Sequence, residues 1–176
     1  GRAGFYTGEI AQAIVAKAKA LGGTMTMEDL AGYAGEWVTP AQTTYHGFDI
    51  STLPAPAQTW ATGELLNILE SCVPGWTDGQ TLASLGPANP KYWHLVVEAK
   101  KLAFEDLYKY NGDPHFVKVP LERLLSKEYA TSLCGRVDPN RAAAMPASTG
   151  SGNGDTIVLS TADRWGNMVA WVNSLY

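Results

Sequence analysis

The chain has 176 residues, of which 45% are hydrophobic, and this is enough apolar material for one globular domain of ordinary size. Its 17 acidic and 13 basic residues give a formal net charge of -4 and are spread along the whole chain, so we expect no nucleic-acid partner. Its apolar runs are shorter than the roughly 18 residues that a membrane span needs, so we expect no membrane partner either.

Helical spacing of apolar residues predicts a helix over residues 9–21, which Gly22 and Gly23 end. The pair Thr26 and Asp29 has the spacing of a helix cap and predicts a short helix through Tyr33. The β-rich segment 43–52 contains a His-Gly turn and predicts a hairpin.

The pattern of apolar residues predicts three more helices, over 59–70, 91–110 and 120–129. The first of these is expected to end before a loop that contains Pro74 and Gly75. The segment 139–154 is rich in Ala, Ser, Gly and Pro and is typical of a mobile linker. Residues 156–163 and 168–176 then alternate as two strands around a Gly-Asn turn, which predicts a second hairpin.

Both cysteines, Cys72 and Cys134, lack CxxC spacing and neighbouring histidines, so the pattern indicates neither a zinc site nor a disulfide framework. We expect no metal and no cofactor. The localisation stays open between the cytoplasm and the periplasm or exterior. The chain begins without Met and ends at Tyr176 inside a β-prone run, so we expect it to be a middle portion of a longer protein.

Other polar and aromatic residues favour structural roles. Three histidines show no pairing that indicates a metal ligand or a general base: His46, His94 and His115. Three carboxylates on the long predicted helix are expected on a solvated face: Glu98, Glu105 and Asp106. Asp113 is expected to cap a turn. Five tryptophans are expected to be core or hairpin anchors: Trp60, Trp76, Trp93, Trp165 and Trp171.

The candidate nucleophile is Thr156, the first residue of the first strand of the second hairpin. It follows Gly154 and Asp155, where the predicted linker meets the strand. A Thr hydroxyl is a weak nucleophile that needs a positioned base. From the pattern alone, a Gly-Asp-Thr run before a strand more often marks only a turn.

Six segments of the chain share one resemblance: FYTGEIAQAIVA, GGTMTMEDLAGY, YHGFDISTLPAPAQ, ELLNILE, VEAKKLAFEDLYKYNGDPHFVKVP and TIVLSTADRWGNMVAWVNS. In this order they resemble blocks of the γ-glutamyltransferase (γ-glutamyltranspeptidase) family of the N-terminal-nucleophile hydrolase superfamily. The resemblance implies an α/β (α+β) fold, part of an αββα sandwich with helices packed on antiparallel strands. It also implies that residues 1–155 are the end of a large-subunit-like region and residues 156–176 the first hairpin of a small-subunit-like region.

The resemblance implies that Thr156 is the nucleophile, that the bond between Asp155 and Thr156 is cleaved in the precursor, and that the freed α-amino group acts as base. It gives Ser174 the role of orienting that amino group, and it makes Asn173 and Tyr176 possible substrate contacts. The implied substrate is a γ-glutamyl or related small amide. The implied partners are the remaining large- and small-subunit segments, without which we expect the chain to be inactive.

Two departures widen the implied substrate range. Tyr176 stands where γ-glutamyltransferases have a substrate-binding Asn, and PAPAQTW replaces their usual Pro-Pro-Ser-Ser-Gly-like run. The run Gly-Asp-Thr at 154–156, followed later by Asn-Ser-Leu-Tyr at 173–176, resembles the divergent branch that includes oxamate amidohydrolase-like proteins and some acylases. The alternatives are therefore an amidohydrolase or acylase with a non-glutathione substrate, and a non-catalytic homologue fragment. A metal-dependent amidase ranks last, because converging His and carboxylate ligands are not found.

Overall fold

A computed structural model describes residues 1–145 and 155–175 and contains both helices and antiparallel strands, which confirms the predicted mixed class. The described helices are α1 Arg2–Tyr6, α2 Glu9–Ala20, α3 Met27–Gly32, α4 Trp60–Trp76, α5 Leu82–Leu85, α6 Pro90–Tyr110, α7 Leu121–Leu124 and α8 Lys127–Leu133, which a 3₁₀ turn, Cys134–Arg136, follows. The described strands are β1 Ala41–Tyr45, β2 Phe48–Thr52, β3 Asp155–Ala162 and β4 Met168–Leu175. No described helix is both long and apolar enough to cross a membrane.

The chain divides into two compact units, Gly1–Val38 and Thr39–Tyr176. The first unit contains α1 to α3 and confirms the predicted cap. Asp29 N donates to Thr26 Oγ1 at 3.2 Å, and Thr26 N donates to Asp29 Oδ2 at 2.8 Å. This reciprocal pair satisfies two of the amide groups that the start of α3 leaves without helical partners.

The second unit is built around α4, which packs on α6, α8 and the β1–β2 hairpin. One apolar cluster, which includes Ile68, Leu95 and Leu133, joins the three helices. A second cluster, which includes Trp60 and Leu124, lies where α4 meets β1 and α7. The hairpin around His46 and Gly47 is confirmed, since both residues have the positive φ angles that its tight turn requires.

Two predicted helix boundaries were wrong. Helix α4 does not end at residue 70 but continues through Pro74 to Trp76. The added turn buries Val73 and Trp76, and the Trp76 indole Nε1 donates to Cys134 O at 3.0 Å. This burial offsets the helix hydrogen bond that Pro74 cannot make.

The second wrong boundary is inside residues 120–129, where the structure has α7 and α8 instead of one helix. Ser126 interrupts the helix because its Oγ accepts a hydrogen bond from Tyr129 N at 3.1 Å, as a cap does. The carbonyl oxygen of Leu125 does not need a hydrogen bond within a helix, because Asn67 Nδ2 donates to it at 2.9 Å.

The absence of a disulfide was also predicted wrongly. Cys72 of α4 and Cys134 form a disulfide bridge across 62 residues, and their Cα atoms are 5.2 Å apart. Cys72 is 2% exposed, within the apolar cluster that α4, α6 and α8 share. Such a bridge joins two elements that only tertiary packing brings together, which is why spacing along the chain did not reveal it.

The expected solvated face of α6 is wrong for two of its three carboxylates. Glu98 is 2% exposed and Asp106 is 6% exposed, whereas Glu105 reaches solvent and pairs with Arg136 Nη2 at 2.7 Å. Both buried acids lie on the apolar stripe of the helix, which runs through Leu95, Ala99, Leu102, Ala103 and Leu107.

Candidate active site

The candidate nucleophile lies at the start of an antiparallel ribbon formed by β3 and β4. The register opposes Thr156 to Ser174, the two hydroxyl residues that the sequence singled out. Asp155 is opposed to Leu175, so the bond predicted to be cleaved joins the first two residues of β3. Asn173 is opposed to Ile157 rather than to Thr156. Tyr176 and residues 146–154 of the predicted linker lie outside the described residues.

The turn of this ribbon fixes the register through one carboxylate. Asp163 Oδ1 accepts hydrogen bonds from Trp165 N at 2.9 Å and from Asn167 N at 3.0 Å, and Oδ2 accepts one from Asn167 Nδ2 at 2.8 Å. Gly166 has φ +88°, which a residue with a side chain rarely adopts. The Asn167 side-chain hydrogen bond is the main reason that the pKa of Asp163 lies below its ordinary value. A slip of one residue at this turn would no longer oppose Thr156 to Ser174.

The ribbon presents apolar side chains on both faces. Ile157, Val158 and Leu159 are consecutive, so they point alternately to the two faces, and each is 59–68% exposed. Trp165 and Trp171 lie in the second hairpin and are 72% and 66% exposed, so neither is a core residue in the described part of the chain. Trp60 and Trp76 are confirmed as core residues, at 0% and 8% exposed, whereas Trp93 is 54% exposed.

The histidines make local structural contacts. His46 N donates to Glu70 Oε1 at 2.6 Å, and His94 Nε2 lies 3.0 Å from Asp138 O. The turn role of Asp113 is confirmed, because its Oδ1 accepts from His115 N at 2.9 Å. Within residues 1–145 and 155–175, no group of three His, Cys, Asp or Glu side chains could hold a metal ion.

A buried acid at the centre of the second unit was not singled out from the sequence. Glu64 of α4 is 0% exposed, and neither of its carboxylate oxygens has a hydrogen-bond donor within reach among the described residues. Burial, followed by the nearby Asp106 carboxylate, raises the pKa of Glu64 to about 10. The acid is therefore neutral at physiological pH, and its proton is available to the Asp106 carboxylate.

Tyr129 and Arg123 complete this polar group. The Tyr129 hydroxyl donates to Asp106 Oδ2 at 2.5 Å, and burial is the main cause that raises the pKa of Tyr129 to about 12. The Arg123 guanidinium lies 4.4 Å from the centre of the Tyr129 ring. The signal that could have found Glu64 is its position on the buried stripe of α4, between Trp60 and Ile68.

Comparisons with known proteins agree over most of the chain. The sequence model of the family described as Gamma-glutamyltranspeptidase matches residues 1–176. The glutathione hydrolase-like YwrD proenzyme of Bacillus subtilis (strain 168) is 34% identical over 176 residues, which are 100% of this chain and 31% of that protein. The acylase ACY 1 proenzyme of Pseudomonas sp. (strain SE83) is 34% identical over 167 residues, which are 94% of this chain and 28% of that protein.

Solved structures give the same result. The crystal structure of cephalosporin acylase from Bacillus halodurans superposes with a TM-score of 0.72 at 33% sequence identity, over 98% of this chain and 29% of that one. The chain therefore spans about a third of the length of these relatives. The matches include both glutathione hydrolases and acylases.

Proposed function

Because the chain belongs to the γ-glutamyltranspeptidase family, we propose that it is the portion of an autoprocessing amide hydrolase or acyltransferase that carries the nucleophile, Thr156. The observation that carries this proposal is the register of the second hairpin, which opposes Thr156 to Ser174. Directly opposed residues of an antiparallel pair are neighbours on one face of the sheet. Ser174 is thus in the register position from which a hydroxyl can orient the amino group of the nucleophile.

The first step of the proposed chemistry is self-cleavage. The Thr156 hydroxyl oxygen attacks the carbonyl carbon of Asp155, and the carbon–nitrogen bond between the two residues breaks as the hydroxyl proton passes to the nitrogen. The acyl group has then moved from nitrogen to oxygen as an ester. Water hydrolyses this ester, which leaves a carboxylate on Asp155 and a free α-amino group on Thr156.

The second step uses the same hydroxyl on the substrate. The α-amino group of Thr156 takes the hydroxyl proton while the oxygen attacks the amide carbon, and the amine product leaves with that proton. The resulting ester is the acyl-enzyme. Water or a second amine then attacks it, which releases the acid or a new amide and restores the Thr156 hydroxyl.

The proposed substrates are γ-glutamyl or related small amides. Glutathione hydrolases and acylases both occur among the relatives, so an acylase or amidohydrolase with another acyl group is the second candidate. Asn173 and Tyr176 remain proposed substrate contacts. Replacement of the usual Asn by Tyr at position 176 favours a substrate other than glutathione, since a phenol cannot reproduce the paired donor and acceptor of an amide.

The proposed activity needs the remaining large- and small-subunit segments. Apolar side chains on both faces of the β3–β4 ribbon support this, because a two-stranded ribbon of this kind is only marginally stable in water without cover. A nucleophile without its oxyanion-stabilising donors also loses about 10²- to 10³-fold in rate for each donor. We therefore propose that the 176-residue chain alone is inactive.

Substrate profiling of the full-length protein tests this function. The protein and its Thr156→Ala variant are incubated with γ-glutamyl-p-nitroanilide, with glutathione and with an acylated cephalosporin, and the amine product is measured. The proposal expects release of amine from at least one of the three by the unchanged protein only. Equal turnover by the Thr156→Ala variant would remove Thr156 from the reaction. The isolated chain is the third sample, and any Thr156-dependent turnover by it contradicts the proposed need for the other segments.

A further inference from the structure

Helix α6 contacts the 3₁₀ turn and the segment that follows it at three points. Glu105 pairs with Arg136 of the turn at 2.7 Å, and the His94 ring lies 3.0 Å from the carbonyl oxygen of Asp138. The third point is Ala143, whose main chain is bound by two charged side chains of α6. The described segment from Pro139 to Met145 has no helix or strand of its own, so the contact at Ala143 sets its path.

The contact at Ala143 is made by Glu98 and Lys101, an ion pair with 2.6 Å between Glu98 Oε1 and Lys101 Nζ. Lys101 Nζ also donates to Ala143 O at 2.6 Å, and Ala143 N donates to Glu98 Oε2 at 3.2 Å. The main-chain N–H and carbonyl groups of Ala143 are thus both hydrogen-bonded, and this fixes the position and the direction of the chain at that residue. The two side chains are 2% and 10% exposed, for Glu98 and Lys101.

Stability alone does not account for such a pair. Removing two charges from water costs several kcal/mol per ion, and apolar replacements of buried ion pairs are often neutral or stabilising. The pair instead binds an exposed alanine of a segment without regular structure. Its hydrogen bonds therefore determine where that segment runs and do not serve the packing of the helix.

The path matters because Ala143 lies shortly before the proposed cleavage site. Residues 144–155 connect the bound alanine to Thr156, and the 13 Cα steps between them span at most roughly 45 Å when fully extended. We propose that Glu98 and Lys101 are positioning residues for autoprocessing: they fix the position and direction of the chain at Ala143, from which it continues to the Asp155–Thr156 bond. This inference rests on the proposed function, and it adds two residues that act on the cleavage step without touching the reacting atoms.

The test measures the processing rate of the full-length precursor made by short pulses of cell-free synthesis. Intact mass and the new amino terminus at Thr156 are followed over time in the unchanged protein, in Glu98→Gln/Lys101→Met and in Lys101→Arg. The double variant removes both charges and is expected to process about tenfold more slowly, within the roughly 100-fold that a displacement of about 1 Å costs. Lys101→Arg keeps a donor cation and is expected to stay within threefold of the unchanged protein.

Glu105→Gln is the matched control, because it removes an exposed carboxylate of the same helix that pairs with Arg136 of the 3₁₀ turn and not with the segment around Ala143. Its processing rate is expected to be unchanged. If the double variant does not fold, Ala143→Pro removes the N–H that Glu98 binds without altering a buried residue, and Ala142→Pro is its control. Ala143→Pro is expected to slow processing as the double variant does.

Hydrogen exchange at Ala143, measured in a Thr156→Ala precursor that cannot process, separates positioning from general destabilisation. The inference expects faster exchange at Ala143 in the double variant and unchanged exchange at Leu102 in the core of α6. In the double variant, slow processing with unchanged exchange at Ala143, or fast exchange at Ala143 with an unchanged processing rate, overturns the positioning role. Neither outcome affects the proposal of self-cleavage before Thr156. A full-length protein that never cleaves before Thr156 overturns the proposed function together with this inference.

Discussion

The buried acid Glu64 makes a quantitative prediction about how stability depends on pH. It is 0% exposed, and the titratable and charged groups that face it are Asp106 of α6, Arg123 of α7 and Tyr129 of α8. Burial is the main cause that raises its pKa to about 10 from 4.5, the value of a glutamic acid side chain in water. Between these two values the folded chain keeps a proton that the unfolded chain releases.

The linkage between protonation and folding gives the direction in which stability changes with pH. Where the folded state binds one more proton than the unfolded state, the free energy of unfolding falls by about 1.4 kcal/mol for each pH unit. The contribution of Glu64 is therefore complete below the pKa of the unfolded chain and is lost progressively as pH rises toward about 10. Glu64→Gln is isosteric and cannot titrate, so between pH 6 and pH 8 the unchanged chain should lose about 3 kcal/mol relative to the variant.

Equilibrium urea denaturation at pH 6, 7 and 8 measures this difference. The fluorescence of Trp60 and Trp76 reports unfolding, because both indoles are buried in the core. Glu105→Gln is the control, since that carboxylate is exposed and its loss should leave the slope with pH unchanged. Parallel pH profiles for the unchanged chain and Glu64→Gln would refute the assignment of Glu64 as a protonated acid.

Three further predictions concern the described contacts. Cys72→Ala/Cys134→Ala should lower the free energy of unfolding by about 4 kcal/mol, from the loop entropy of a 62-residue separation, and a reductant should have that effect only on the unchanged chain. Asn67→Ala should cost about 3 kcal/mol in urea denaturation, because its buried amide bonds Leu125 O at 2.9 Å and Lys127 Nζ at 2.7 Å; a loss under 1 kcal/mol would contradict this. Asp163→Ala should speed hydrogen exchange at the turn. Acidification should lower the protection of the turn amides, relative to their intrinsic exchange rate at each pH, only as pH falls through the lowered pKa of Asp163, since a depressed carboxyl pKa stabilises the fold above that range.

Local signals in the sequence predicted the elements that hold the candidate site. The Thr26 cap and both hairpin turns depend on residues a few positions apart, so their pattern is visible along the chain. The register that opposes Thr156 to Ser174 follows from the turn at Gly166, where the Gly-Asn pair predicted the hairpin.

Features that depend on distant parts of the chain were missed. The disulfide joins residues 62 positions apart, and nothing in the spacing of two lone cysteines indicates that α4 and the end of α8 meet. Glu98 and Asp106 were expected in solvent, and Glu64 was not singled out, because a carboxylate is buried only when it is paired and hydrogen-bonded or when it keeps its proton. Their positions on apolar stripes were visible, but the identity of their partners was not.

The most direct test of the account is the amino terminus of the mature full-length protein. Intact mass and amino-terminal sequencing are applied to the protein, to Thr156→Ala and to Thr156→Ser, which keeps a hydroxyl nucleophile. We expect a new amino terminus at Thr156 in the unchanged protein. Thr156→Ser should be cleaved at the same bond at a different rate, and Thr156→Ala should remain uncleaved. An unchanged protein that remains in one piece, or cleavage that persists in Thr156→Ala, would contradict it.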